Sequence, residues 1–182
     1  AGALAARDAL EHGKPIRDAK SADRPLSIDC LRYYAGYADK IHGQTIPVRG
    51  NYFTYTRKEP VGVVGQIMPW NFPILMAAWK WGPALAAGCS MVVKPATQTP
   101  YSALAFAELA VRAGVPKGLP SVLTGSASQI GGEMTRNPLV RKLTVTGSTV
   151  VGRTLILPGP DPVTESMLAP LGLAPALPLA AS

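Results

Sequence analysis

The feature that most constrains this chain is a rhythm. From Val61 onward, apolar runs of strand length alternate four times with segments of helical periodicity, and the connections are short and carry Gly or Pro. The runs cover residues 61–68, 90–93, 121–124 and 142–146. The helical segments cover 74–87, 102–113 and 128–136, with a fourth opening at Thr149. Gly88 and Gly114 stand where the first two helices must stop. Residues 61–67 are apolar almost without a break, which predicts a strand covered on both faces. Strands joined through helices run parallel, because each crossover returns the chain to the same end of the sheet. The expected fold is α/β, an open parallel sheet with flanking helices.

The first 60 residues follow a different pattern. Residues 3–22 read as a helix and then a charged loop, separated at Gly13-Lys14-Pro15. A second helix is expected over 26–41, with Ile28, Leu31, Tyr34, Ala35, Ala38 and Ile41 as its apolar face and Gly43 as its stop. Residues 52–57 are aromatic and β-branched, and predict a strand with one solvated face. Beyond Leu155, Pro158, Pro160, Pro162, Pro170, Pro175 and Pro178 are spaced so that no helix can pass through them. The expected organisation is a helical segment at 1–50, the sheet domain at 51–155 and an irregular, loosely ordered stretch at 156–182.

Composition narrows the function classes. The formal charge is +7, but the basic residues form no stripe with aromatic interleaving and no nucleic-acid motif appears. Nucleic acid is therefore not expected as a partner. No apolar run reaches membrane-spanning length, so no membrane partner is expected either. Cys30 and Cys89 lack metal-ligand spacing, and His12 and His42 read as isolated, so no metal site is expected. Two free thiols fit a reducing compartment, cytoplasmic or mitochondrial.

Open parallel sheets bind ligands beyond the carboxyl ends of their strands. Those ends carry the unusual polar residues here: Trp70-Asn71, Lys94, Gly125-Ser126 and Gly147-Ser148. In Met68-Pro69-Trp70-Asn71-Phe72-Pro73, two prolines bracket a stiff turn that would hold the Asn71 amide in one direction. A fixed amide can donate to a developing oxyanion; it can equally cap a helix. Lys94 ends a buried strand, where it can reach ribose or phosphate, with Thr97 close behind; it can also be a surface lysine that snorkels. Residues 143–152 run from a strand through Gly147-Ser148 into a helix, which suits a diphosphate or simple capping. Gly125 and Gly131 suit a tight turn and close packing near a ligand, or a plain strand–helix loop. The GxGxxG dinucleotide fingerprint is absent.

Taken in order, these segments resemble the aldehyde dehydrogenase superfamily. The resemblance rests on Pro69-Trp70-Asn71-Phe72-Pro73, Trp79-Lys80, residues 82–88, Lys94-Pro95-Ala96, Gln98-Thr99-Pro100 and Thr146-Gly147-Ser148-Thr149, and it runs from about residue 4 to 155. Residues 26–73 look most like acetaldehyde- or retinal-oxidising members. Residues 82–149 look more like succinate-semialdehyde dehydrogenases, so no single substrate is implied. The resemblance implies a Rossmann-like domain, preceded by N-terminal helices and a β-ribbon segment, that binds NAD or NADP. It implies oxidation of a small aldehyde to a carboxylic acid with NAD(P)+ as hydride acceptor, and a homo-oligomer for the complete enzyme.

Residue roles carry over only where the motif matches. Asn71 looks like the oxyanion-hole asparagine. Ile67, Met68, Pro69 and Trp70 look like lining of the cofactor cleft, and Lys94 like the lysine on the adenosine ribose. Gly147 and Ser148 look like the diphosphate contacts, with Gly125 and Gly131 beside the cofactor. Thr97 stands where NAD-preferring members often carry glutamate, and a neutral residue there admits a 2′-phosphate. Val150 replaces the usual acidic residue. In the family, the nucleophilic cysteine and the general-base glutamate lie beyond the phosphate-binding helix. Here neither Cys30 nor Cys89 occupies the nucleophile's motif. The chain is expected to be truncated before that cysteine and inactive by itself. A non-catalytic NAD(P)-binding or interaction protein on the same scaffold is the alternative, as is an incomplete reading of a full enzyme.

Overall fold

A computed structural model describes residues 2–156, and the expectation of an irregular stretch falls outside it except for Ile156. The chain opens with α1 (Gly2–His12) and α2 (Ile16–Asp18). A π-helical turn (Ala19–Asp23) leads straight into α3 (Arg24–Ala35), and a 3₁₀ turn (Ala38–Lys40) follows. Two-residue strands β1 (Thr45–Ile46) and β2 (Thr54–Tyr55) pair antiparallel. Then come β3 (Val63–Ile67), α4 (Pro73–Ala86), β4 (Ser90–Lys94), α5 (Tyr101–Arg112), β5 (Pro120–Val122), α6 (Ala127–Arg136), β6 (Val140–Val145) and α7 (Thr149–Ile156).

The four main strands are all parallel, in the order β5-β4-β3-β6. The expected Rossmann-like sheet is therefore present. The chain first winds outward from β3 through β4 to β5, then returns to place β6 on the other side of β3. That reversal is a topological switch point between β3 and β6, where the loops leaving both strands splay apart and open a crevice.

Both sheet faces are covered. On one face Val64, Met68, Met91 and Val93 pack against Leu75, Met76, Ala77, Trp81 and Ala84 of α4 and against Ala103 of α5. On the other, Gly65 admits the side chains of Leu143, Val140 and Met134 so closely that a Cβ would lie 2.8 Å from Leu143. Helices α4 and α5 end in the same way. Gly88 and Gly114 adopt positive φ (72° and 97°), and the next residue's N–H bonds back to the last turn, Cys89 to Ala84 and Val115 to Ala110. Only glycine takes this conformation at no steric cost, so both stops are dictated by the sequence.

The amino-terminal region differs from expectation in three respects. The charged residues 14–22 are largely helical rather than a loop, because their polar groups find partners: Lys14 pairs with Asp23, and Ser27 Oγ donates to the Asp23 carbonyl. Helix α3 ends at Gly36 rather than Gly43. It turns Ser27, Cys30, Leu31 and Tyr34 toward the protein, while Ile28 and Ile41 are exposed. The glycine at Gly82 of α4 lets the Tyr34 ring approach, and α3 nests there. The ribbon strand is only two residues long, and both of its strands are largely exposed.

Candidate functional site

The polar features read at the strand ends all lie along the carboxyl edge of the sheet, those after β3 and β6 at the switch point and those after β4 and β5 beyond it. Lateral backbone bonds tie the loops together: Met68 N–H donates to Lys94 O (3.0 Å), Thr146 N–H to Ile67 O (3.1 Å), and Leu123 N–H to Val93 O (2.8 Å). The loops after β3, β4, β5 and β6 are therefore neighbours, although the bonded residues stand 26 (Met68–Lys94), 30 (Val93–Leu123) and 79 (Ile67–Thr146) positions apart in sequence. Ile67, Pro69, Trp70 and Asn71 sit at the end of β3, Lys94 and Thr97 at the end of β4, Gly125 after β5, and Gly147 and Ser148 after β6.

Asn71 is exposed, and the residue in capping position is Phe72, which makes no side-chain cap. The first turn of α4 is instead served from a distance: the Ile74 N–H donates to Asp8 Oδ1 of α1 at 3.4 Å. Glu11, one turn further along α1, accepts from the N–H groups of Tyr101 and Ser102 at the start of α5. One face of α1 thus caps two helices, since carboxylates complement the orphan donors and positive dipole of a helix start. The capping alternative for Asn71 falls away, because Asp8 performs that role.

Lys94 is 3% exposed and its ammonium donates to Pro95 O at 2.6 Å, so it is not a snorkelling surface lysine. Burial pulls its pKa below the ordinary lysine value. Thr97 is exposed beside it. Trp70 is 55% exposed at the rim, whereas the Met68 side chain is buried in the α4 core, which leaves only its backbone to face the crevice. Gly125 takes φ 138°, which an L side chain would strain. Gly131 lies within α6, where a Cβ would meet Leu155 of α7 at 3.0 Å and Ile67 at 3.8 Å. Ser148 caps α7 by accepting from Val151 N–H at 3.3 Å. Gly147 is exposed, and a Cβ there would meet none of the described residues within 4 Å.

Two features were not legible beforehand. Lys80, named beforehand only within the Trp79-Lys80 motif, is part-buried with Nζ 3.3 Å from Thr144 Oγ1, and burial lowers its pKa to about 8. A lone lysine within the apolar run of α4 was the available signal. The second is a correction: His12 is not isolated. Its ring sits with the Asp8 and Asp23 carboxylates, one ligand-type atom from each lying within 4.8 Å of the others. Burial raises the pKa of Asp8, with His12 acting in the opposite sense.

Neither cysteine lies on a loop at the carboxyl end of the sheet. Cys89 is buried just before β4, at the end of the sheet opposite Asn71. Cys30 lies on α3, donating to Ala78 O at 3.5 Å, and burial pushes its thiol pKa up. Among the described residues, no helix is long and apolar enough to cross a membrane.

Comparison with known proteins bears directly on this geometry. The chain is 54% identical over 148 residues to a glutarate-semialdehyde dehydrogenase of Pseudomonas aeruginosa, which covers 81% of this chain and 30% of that protein. A crystal structure of an E. coli NADP dependent enzyme superposes with TM-score 0.82 at 51% identity, over 85% of this chain and 32% of the other. An NAD+ complex of an aldehyde dehydrogenase from Bacillus cereus superposes with TM-score 0.81 at 47% identity, over 84% and 31% respectively. The chain spans under a third of the length of the curated relatives it matches. The model of the aldehyde dehydrogenase family matches residues 1–167, further than the resemblance read from motifs. On that match, and on a shared fold at close to half identity, this chain belongs to the aldehyde dehydrogenase family.

Proposed function

We propose that the crevice at the β3–β6 switch point binds NAD+ or NADP+, and that Asn71 is the oxyanion donor of an aldehyde dehydrogenase. The observation that carries this reading is the convergence of Asn71, Lys94 and Gly147 on one crevice, with Asn71 exposed and its expected capping duty taken by Asp8. When bound, the dinucleotide supplies a hydride acceptor. The open space at Gly147 and the amino end of α7 offer backbone N–H groups to a diphosphate. Lys94, released from the Pro95 carbonyl, donates to a ribose hydroxyl, and Thr97 leaves room for a 2′-phosphate. The Asn71 NH₂, on a turn stiffened by Pro69 and Pro73, donates to the aldehyde oxygen as negative charge develops there. Such a donor contributes about 3–4 kcal/mol to acyl-type chemistry.

The parent reaction, oxidation of an aldehyde to a carboxylic acid, also needs a thiolate nucleophile. Neither Cys89, buried at the opposite sheet end, nor Cys30, on α3, serves that crevice. The chain by itself therefore binds the dinucleotide without turning over, in a reducing, cytoplasmic or mitochondrial compartment. Titration with NAD+ and NADP+ tests this. Saturable quenching of tryptophan emission is expected with both, lost in Trp70→Phe and weakened in Lys94→Met, with no reduced cofactor formed from a panel of aldehydes. Absence of saturable binding refutes the cofactor reading, and turnover refutes the binding-only claim.

A further inference from the structure

At the junction of α1, the π-helical turn, α4 and α5 lies a buried polar cluster that the cofactor reading does not use. The side chain of Asp8 is fully buried, and those of His12 and Asp23 are each 3% exposed. Among the described residues, both ring nitrogens of His12 and Oδ2 of Asp8 are buried without a hydrogen-bond partner. Buried polar atoms left without a protein partner are costly, so a bound ion or water there would be stabilised.

The chemistry of the cluster identifies the group. Asp8 and His12 stand four residues apart on one face of α1, a spacing that presents two ligands side by side. His12 Nδ1 is 4.0 Å from Asp8 Oδ1, too far for a hydrogen bond. Two ligands of a tetrahedral zinc-type ion lie roughly 3.3 Å apart, given metal–ligand lengths of about 2.0–2.1 Å. With Asp23 the three ligand atoms already lie within 4.8 Å of one another, so rotations of side chains bring them into range. Asp23 closes a π-helical turn, an irregularity frequent at functional sites. Two carboxylates face one ammonium, Lys14, which is 2.5 Å from Asp23 Oδ2 and 3.7 Å from the centroid of the Phe72 ring.

We propose that Asp8, His12 and Asp23 bind one divalent transition-metal ion of the zinc class. Asp8 Oδ2, a His12 ring nitrogen and an Asp23 oxygen are the ligands, and water completes the coordination. Lys14 leaves Asp23 and stays over Phe72. Because Asp8 Oδ1 also holds the Ile74 N–H and the Ser102 hydroxyl (3.3 Å), the ion ties α1 to α4 and α5 just behind the Asn71 turn. Its role is structural.

Titration of the chelator-stripped chain with Co2+, followed by Zn2+, tests the proposal. Visible Co2+ bands are expected to saturate at one equivalent, to bleach on addition of Zn2+, and to accompany a rise in thermal midpoint. His12→Asn is expected to abolish the bands and weaken binding by more than about a hundredfold, beyond the usual loss for an outer-shell partner. Asp23→Asn is expected to do the same, with folding of each variant verified by circular dichroism. His42→Asn, at the exposed second histidine, is expected to change nothing. The proposal is overturned if neither ion binds at about millimolar concentration, well above what a structural site requires. It is equally overturned if folded His12→Asn and Asp23→Asn both keep the bands.

Discussion

Thr97 is exposed three residues beyond the buried Lys94, at the place where a ribose 2′-substituent would lie in the proposed complex. Thr97→Glu is expected to weaken NADP+ by about tenfold, through charge repulsion at close range, while NAD+ affinity stays within a factor of about two. Parallel calorimetric titrations of the two dinucleotides would measure this, and equal losses for both would contradict it. Lys80 leads to a prediction about pH. Burial holds its pKa near 8, against 10.5 for an ordinary lysine. Below pH 8 it is charged in both the folded and unfolded chain, and the fold bears the desolvation. Between pH 8 and 10.5 it is neutral in the fold and charged when unfolded, so stability rises with pH across that window, by about 3 kcal/mol. Urea titrations should find this rise in the parent chain and not in Lys80→Met. The sequence marks Lys80 only as a cation in apolar company; its depth depends on the sheet laid over it.

Among the elements, the strands and helices after Val61 were legible because each is specified locally, by apolar runs and helical periodicity, with glycine stops at α4 and α5. Helices α1 and α3 were legible too, but the helical turn between them and the partners of their polar residues, which lie far away in sequence, were not. Asp8 and Glu11 look like a solvated face until Ile74, Tyr101 and Ser102 are brought beneath them. The same holds for the contact between α3 and α4, where Tyr34 fits only because Gly82 has no side chain. A Cβ at Gly82 would lie 2.7 Å from Tyr34 Cδ2, so Gly82→Ala is expected to lower stability by about 1–3 kcal/mol. Gly152→Ala in α7, where a Cβ meets nothing within 4 Å, is expected to be neutral or to stabilise by up to about 1 kcal/mol. Denaturant midpoints of the two variants measure the contrast, and equal effects would refute the packing argument.

For the molecule as a whole, the strand order β5-β4-β3-β6 brings four separate motifs to one end of the sheet. The sequence placed Asn71, Lys94, Gly125 and Gly147 each at a strand end; only the order of the strands makes those ends neighbours. The His12 cluster was missed for the complementary reason, since its three residues share no strand end and no family motif. The central claim is that the crevice between β3 and β6 holds the dinucleotide. Hydrogen–deuterium exchange of the chain, with and without saturating NAD+, tests that claim most directly. Slower exchange is predicted in peptides covering residues 67–71, 94–97 and 146–152, with residues 43–56 of the ribbon unchanged. Protection absent from those three segments, or confined to the ribbon and the amino-terminal helices, would contradict it.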